Sequence, residues 1–249
     1  MGRPGRHAHL LPRLLLMQPE PDSRIAWLAH AYTCLGLVCA GLTLSAGARG
    51  DARGAFFWMF LALLIDATDG ALARRLRAAE RLPHFDGALL DNLVDYINYA
   101  LCPAYLLFAL GLLPSGALAL GAVPLVASAY GFSRSDAKTA DGFFRGFPSY
   151  WNLVVFYAWC LRLSPGWLAG WLLLLGALTF VPIRYPTPFK ARPLRHLTDP
   201  LSVAWALSLI VLYFQLPEPS GWLVWVSLLY PAYYAAAALW LTYADQRGA

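Results

Sequence analysis

The chain has 249 residues, 59% of them hydrophobic and 13% charged, with a mean hydropathy of +0.52. That composition excludes an ordinary water-soluble domain and points to a protein that resides in a bilayer. The net charge of +5 comes with no nucleic-acid-binding motif, so no nucleic-acid partner is expected; it suits an anionic membrane surface, where each nearby Arg or Lys gains about 1 kcal/mol.

Residues 1–24 set Arg3, Arg6, Arg13 and Arg24 among Leu10, Leu11, Leu14, Leu15 and Leu16, the pattern of a basic arm lying along the membrane interface. The apolar run at 14–17 is too short for the centre of a signal peptide, and no small-residue cleavage site follows it. Apolar runs then occupy 26–48, 56–74, 89–113, 114–133, 146–161, 166–183, 200–216 and 221–243. Most are long enough to cross a hydrocarbon core of about 30 Å at about 1.5 Å per residue. The run at 146–161 is short and reads as tilted, re-entrant or partly interfacial. The expectation is an all-α, polytopic membrane bundle of about eight transmembrane helices forming a single domain over 1–249, with the arm at 1–24 and the bundle at 25–249.

Basic residues alternate between the two sides. One set of segments holds Arg3, Arg6, Arg13 and Arg24, then Arg74, Arg75, Arg77 and Arg81, then Arg134, Lys138 and Arg145, then Arg184, Lys190, Arg192 and Arg195, and finally Arg247. The opposite set holds Arg49, Arg53 and Arg162. Positive charge marks the cytoplasmic side, so both termini are expected there. Cys34, Cys39, Cys102 and Cys160 are scattered through apolar runs with no metal-ligand spacing and read as small core residues.

The informative feature is four carboxylates beside or within apolar helical stretches. Asp66-Ala-Thr-Asp69-Gly70-Ala-Leu-Ala73-Arg74 is followed, twelve residues on, by Gly87-Ala-Leu-Leu-Asp91-Asn-Leu-Val-Asp95. An ionised carboxylate at bilayer depth costs about 2.5–3.5 kcal/mol on insertion scales, so the group needs compensating positive charge. Helical spacing stacks Asp66 with Asp69 and sets Gly87, Asp91 and Asp95 in one stripe, and the opposite directions of the second and third runs bring both pairs to the cytoplasmic boundary. Hard oxygen ligands from two facing helices suit Mg²⁺ or Mn²⁺. Gly70, Ala73 and Gly87 leave room for a large ligand, and Arg74 offers a planar donor fork for phosphate. Taken singly, acids near helix ends are usually solvated or ion-paired, and membrane-helix glycines usually serve packing. The combined pattern describes metal-assisted phosphoryl-group transfer at a cytoplasm-facing active site.

The run Asp66-x2-Asp69-Gly70-x2-Ala73-Arg74 … Gly87-x3-Asp91-x3-Asp95 resembles the signature of the CDP-alcohol phosphotransferase family. The usual spacing between the Arg and the second Gly in that family is eight residues; the twelve found here, Arg75 through Asp86, resemble its bacterial phosphatidylcholine synthase branch. A second stretch, Phe132-Ser133-Arg134-Ser135-Asp136-Ala137-Lys138-Thr139 with Gly146-Phe147-Pro148-Ser149-Tyr150-Trp151-Asn152, is similar to the loop between spans four and five of that branch.

The resemblance implies a bacterial inner-membrane enzyme, expected as a homodimer among membrane lipids, that moves a phosphatidyl group from CDP-diacylglycerol to choline and releases CMP. It implies two divalent cations, Mn²⁺ or Mg²⁺, on Asp66, Asp69, Asp91 and Asp95, with Asp95 as the base on the acceptor hydroxyl. Donor contacts fall to Asp69, Gly70, Ala73, Arg74 and Gly87. For the quaternary ammonium of choline, which only charge and aromatic faces can recognise, the candidates are Phe147, Tyr150 and Trp151 with Asp141 or Asp136. Arg134, Lys138 and Arg145, with Arg192 or Arg195, are expected phosphate contacts, although positive-inside anchoring explains the same residues. Serine, glycerol phosphate or inositol phosphate remain alternative acceptors, and a cation transporter is the alternative of another class.

Overall fold

The computed structural model describes residues 21–139, 141–189, 191 and 194–248. Most of the expected interfacial arm, together with Lys190 and Arg192, lies outside the described residues. Helices α1 (Pro21–Ala48) and α2 (Ala52–Arg75) form a close pair joined by a short turn. Asp51 caps α2 by accepting from the Gly54 amide at 2.8 Å, which satisfies one of the amides that a helix start leaves without a partner. The pair meets through small side chains: Ala26, Ala29, Ala40 and Ala46 of α1 and Ala55 and Ala62 of α2 are buried, the composition that lets apolar helices approach where lipid offers no hydrophobic contrast.

The expected loop after Arg75 contains a single turn of helix, α3 (Ala78–Arg81), entered through Arg77 in the left-handed region at φ 49°. Asp86 then caps α4 (Gly87–Tyr96) by accepting from Leu89 N at 2.9 Å. From there α4, a π-helical segment (Ile97–Leu101) and α5 (Cys102–Ala109) follow without a break. Within the π segment, the buried Asn98 amide donates to the carbonyls of Gly36 at 3.1 Å and Val94 at 3.0 Å. That bond crosses from the third apolar run to the first and fixes α4 against α1.

The second half comprises α6 (Leu118–Ser133), α7 (Trp151–Cys160), α8 (Pro165–Phe180), α9 (Arg195–Phe214), α10 (Gly221–Ser227) and α11 (Leu229–Gly248). The main core joins both halves, gathering Phe56 of α2 and Leu106 of α5 with Trp151, Phe156 and Leu212, all completely buried. Two three-residue strands, β1 (Phe143–Arg145) and β2 (Arg184–Pro186), pair antiparallel with Phe144 opposite Tyr185.

Every apolar run of the sequence carries helix, and large apolar side chains such as Leu118, Trp167, Trp222 and Trp225 stand mostly exposed. A continuous apolar exterior of this kind is what a bilayer covers. Among the described residues, four helices are long and apolar enough to cross a membrane: Ser23–Ala48, Ala52–Arg75, Arg195–Phe214 and Gly221–Arg247. The protein is therefore an all-α membrane protein. The fifth run is the shortest in the structure as in the sequence: helix covers only Trp151–Cys160 of 146–161.

Candidate active site

The signature residues occupy the end of α2 and the start of α4. Asp66, Asp91 and Asp95 each offer a carboxylate oxygen, and the three oxygens lie within 4.8 Å of one another. Asp95 is buried, whereas Asp66 and Asp91 are half-buried. Ionised together, three carboxylates so close would repel strongly in a medium of reduced dielectric, so the arrangement favours positive charge beside it. Lys138 supplies part of that charge, with its ammonium 3.8 Å from Asp91 Oδ2. Hard carboxylate oxygens are the donor set preferred by small divalent cations, so this triad can hold a metal ion.

Asp69, the fourth carboxylate of the signature, is not one of that close group. It is buried, and its Oδ2 accepts a hydrogen bond from the Thr33 hydroxyl of α1 at 2.8 Å. Asp66 accepts in the same way from the Tyr99 hydroxyl at 2.7 Å. Neither Thr33 nor Tyr99 was expected as a site residue. Tyr99 had a legible signal, because it continues the i, i+4 stripe of Gly87, Asp91 and Asp95; Thr33, one apolar run away, had none.

The donor-side residues divide. Gly70 is open: an added Cβ would meet only the guanidinium of Arg74, at 3.3 Å, and Arg74 itself is exposed. Ala73 packs against the cluster of Ala26, Ala29 and Ala78. Beside Gly87 the space is taken by His30, whose Cε1 would lie 2.6 Å from an added Cβ and whose ring rests on Phe85 at 4.5 Å.

A cavity of about 270 Å³ adjoins the triad on the Asp91 side. Arg134, Lys138 and Arg145 line it with Asn92, Phe144 and Phe147, so the three basic residues expected at phosphate come together around one space. Arg134 and Arg145 also pair with Asp136, at 2.7 and 3.5 Å, and the Arg134 hydrogen bond holds the Asp136 carboxyl below the usual carboxylate range. Arg195 is engaged elsewhere, with Asp199 at 2.9 Å.

The residues expected around choline do not converge as a set. Phe147 lines the cavity. Trp151 is completely buried, its indole N–H donating to the Ser128 hydroxyl at 2.9 Å and its ring packed on Phe147 at 5.1 Å. Asp141 is turned to Arg184 and Thr139. Tyr150 packs its ring on Phe147 at 6.3 Å and on Tyr234 at 6.4 Å, centroid to centroid.

No family model matches the chain. Among curated proteins it is 34% identical over 232 residues to the phosphatidylcholine synthase of Pseudomonas aeruginosa, covering 92% of this chain and 97% of that protein. It is 34% identical to the phosphatidylcholine synthase of Borreliella burgdorferi, with 88% and 95% covered, and 37% identical to that of Bradyrhizobium diazoefficiens, with 92% and 84% covered. Identity at this level over nearly the whole of each protein does not arise by chance, and this chain belongs to the phosphatidylcholine synthase family.

Proposed function

We propose that this protein is a phosphatidylcholine synthase that transfers the phosphatidyl group of CDP-diacylglycerol to choline at the cytoplasmic face of a bacterial inner membrane, releasing CMP. The observation that carries the reading is the convergence of Asp66, Asp91 and Asp95 from two helices beside a cavity lined by cations, in a chain of this family. We further read the apolar runs as eight crossings of one membrane domain, the shorter helices completing what the four long ones begin. Homodimerisation is carried over from the family resemblance.

In the proposed reaction the choline hydroxyl oxygen bonds to the phosphatidyl phosphorus, and the bond from that phosphorus to the CMP oxygen breaks. The hydroxyl proton passes to Asp95, and CMP leaves with the bonding pair. Two divalent cations held by Asp66, Asp69, Asp91 and Asp95 would neutralise the phosphate charge and stabilise the attacking and leaving oxygens. Arg74 supplies a fork for the donor's diphosphate, with Arg134, Lys138 and Arg145 as further cationic contacts. An ordinary Asp, with a solution pKa near about 3.9, is a weak base toward an alcohol, so alignment of the hydroxyl against Asp95 contributes much of the activation.

The test is CMP release by detergent-purified protein given CDP-diacylglycerol and Mn²⁺, with choline, serine, glycerol phosphate or inositol phosphate as acceptor. Release with choline alone, abolished by a chelator, is the expected result. Release with a different acceptor overturns the substrate, and no release with any acceptor returns the cation-transporter alternative.

A further inference from the structure

One face of α1 runs along three donor-side positions of the signature. Ala26 and Ala29 pack with Ala73, the Thr33 hydroxyl donates to Asp69 at 2.8 Å, and between them His30 lies against Gly87. Ala26, His30 and Thr33 are spaced i, i+4 and i+7, which sets them on one side of the helix. Thr33 is already committed to Asp69, so His30 carries the one polar group of this face that is still unspent.

His30 is 8% exposed, and among the described residues its Nε2 has no hydrogen-bond partner. Aromatic neighbours hold the ring, Phe85 at 4.5 Å and Trp27 at 5.8 Å between centroids. The edge bearing both nitrogens is turned to Gly87: from the place an added Cβ would take there, Cε1 lies at 2.6 Å, Nδ1 at 3.3 Å and Nε2 at 3.6 Å. Leucine or phenylalanine would fill this space without burying a polar atom, and a buried polar group without a partner is costly. Packing therefore does not account for an imidazole at this position. A ligand that brings a hydroxyl, carbonyl or amino group to Gly87 does, because an imidazole nitrogen can donate or accept.

Position along α4 says which part of the donor this is. Gly87 opens the helix, and Asp91 and Asp95 follow it at about 6 and 12 Å, at about 1.5 Å per residue. The diphosphate is drawn to the acids and the cations they hold, and the diacylglycerol end stays with the lipid around the apolar run that begins at residue 89. What reaches back to Gly87 is the uncharged, polar end of the donor. Resting on the CDP-diacylglycerol reading above, we infer that His30 holds the nucleoside of the donor through its Nε2, with Gly87 leaving room for the contact.

The experiment reads binding without turnover, using radiolabelled CMP and Mn²⁺ with detergent-purified wild type, His30→Phe and His30→Gln. Phenylalanine keeps a ring and removes both nitrogens; it is expected to weaken CMP binding roughly tenfold and to raise the KM for CDP-diacylglycerol to a similar extent. The KM for choline and the Mn²⁺ affinity, read by electron paramagnetic resonance without substrate, should stay within about twofold. Glutamine, whose amide can stand where Nε2 does, should recover most of the loss. CMP affinity in His30→Phe equal to that of the wild type overturns the inference, and so does an equal loss in both variants accompanied by weakened Mn²⁺ binding, which marks a structural role. Should His30→Phe fail to fold, thienylalanine at position 30 keeps a five-membered ring without the nitrogens; weakened CMP binding then supports the inference and unchanged binding overturns it. A wild type that does not bind CMP overturns the donor reading itself, whereas binding that the ring variants share overturns only the assignment of His30.

Discussion

The four signature carboxylates are chemically alike but differently supported, and the support decides what each can do. Asp66 is held by Tyr99, Asp69 by Thr33, and Asp91 faces Lys138, while Asp95 is the most enclosed of the close triad. We expect Asp95→Asn to keep CDP-diacylglycerol binding and lose turnover, because the amide is nearly isosteric but cannot take the acceptor's proton. Retained CMP release would remove the base assignment. Tyr99→Phe deletes the hydroxyl that orients Asp66 and leaves the ring. Partners of this kind outside the ligand shell are worth roughly 10–100-fold in metal affinity, so Mn²⁺ binding to the purified protein, read by electron paramagnetic resonance without substrate, should weaken by about tenfold or more. Unchanged affinity would make Tyr99 a packing residue. The acids, Gly70 and Arg74 were legible in the sequence because they share short helical spacings; Thr33 was not, because only the packing of a distant segment brings it to Asp69.

At the level of elements, the helices were readable from hydropathy and their joints were not. The run 89–113 reads as one helix, yet it contains a π segment that begins two residues after Asp95 and holds Asn98 against Gly36 and Tyr99 against Asp66. Such insertions carry no composition signature and gather at functional sites. The strands were equally silent, since three residues are too few to show alternation. Gly36 is the element-scale test of this arrangement: an added Cβ would stand 2.6 Å from Val94 Cγ1 and 3.3 Å from Asn98 Nδ2. Gly36→Leu should force α1 off α4 and cost about 1–3 kcal/mol, the usual range for overpacking. Thermal unfolding in detergent measures this, and a variant as stable as the wild type would show that the helix pair yields freely.

At the scale of the whole molecule, the β1–β2 pair joins three distant parts of the chain. Arg184 forms ion pairs with Asp141, in the segment that also carries Lys138, and with Asp245 at the C-terminal end of α11, and its guanidinium lies 4.4 Å over the Phe143 ring. The Arg184 amide also donates to the Thr242 hydroxyl at 2.8 Å, which ties β2 to α11 directly. Through this junction the last helix and the basic segment beside Asp91 are held in one frame. The Thr139 hydroxyl, then a backbone hydrogen bond at Asp141 itself, then the Arg184 charge hold the Asp141 carboxyl below the usual carboxylate range. A carboxyl whose folded-state pKa is depressed stabilises the fold above its unfolded value, near about 3.9, and that contribution disappears as the pH falls through the lower folded value. Arg184→Met removes the partner at any pH. Amide-exchange protection across 141–145, corrected for intrinsic rates, should therefore be lower in the variant at neutral pH, and the gap from the wild type should close as the solution is acidified below about pH 4. Screening limits exposed pairs to about 0.2–1 kcal/mol each, so the effect is a local loosening and leaves the helical bundle intact. A gap that persists unchanged into acid would show that Arg184 holds the clasp through its stack on Phe143, with the Asp141 charge contributing nothing.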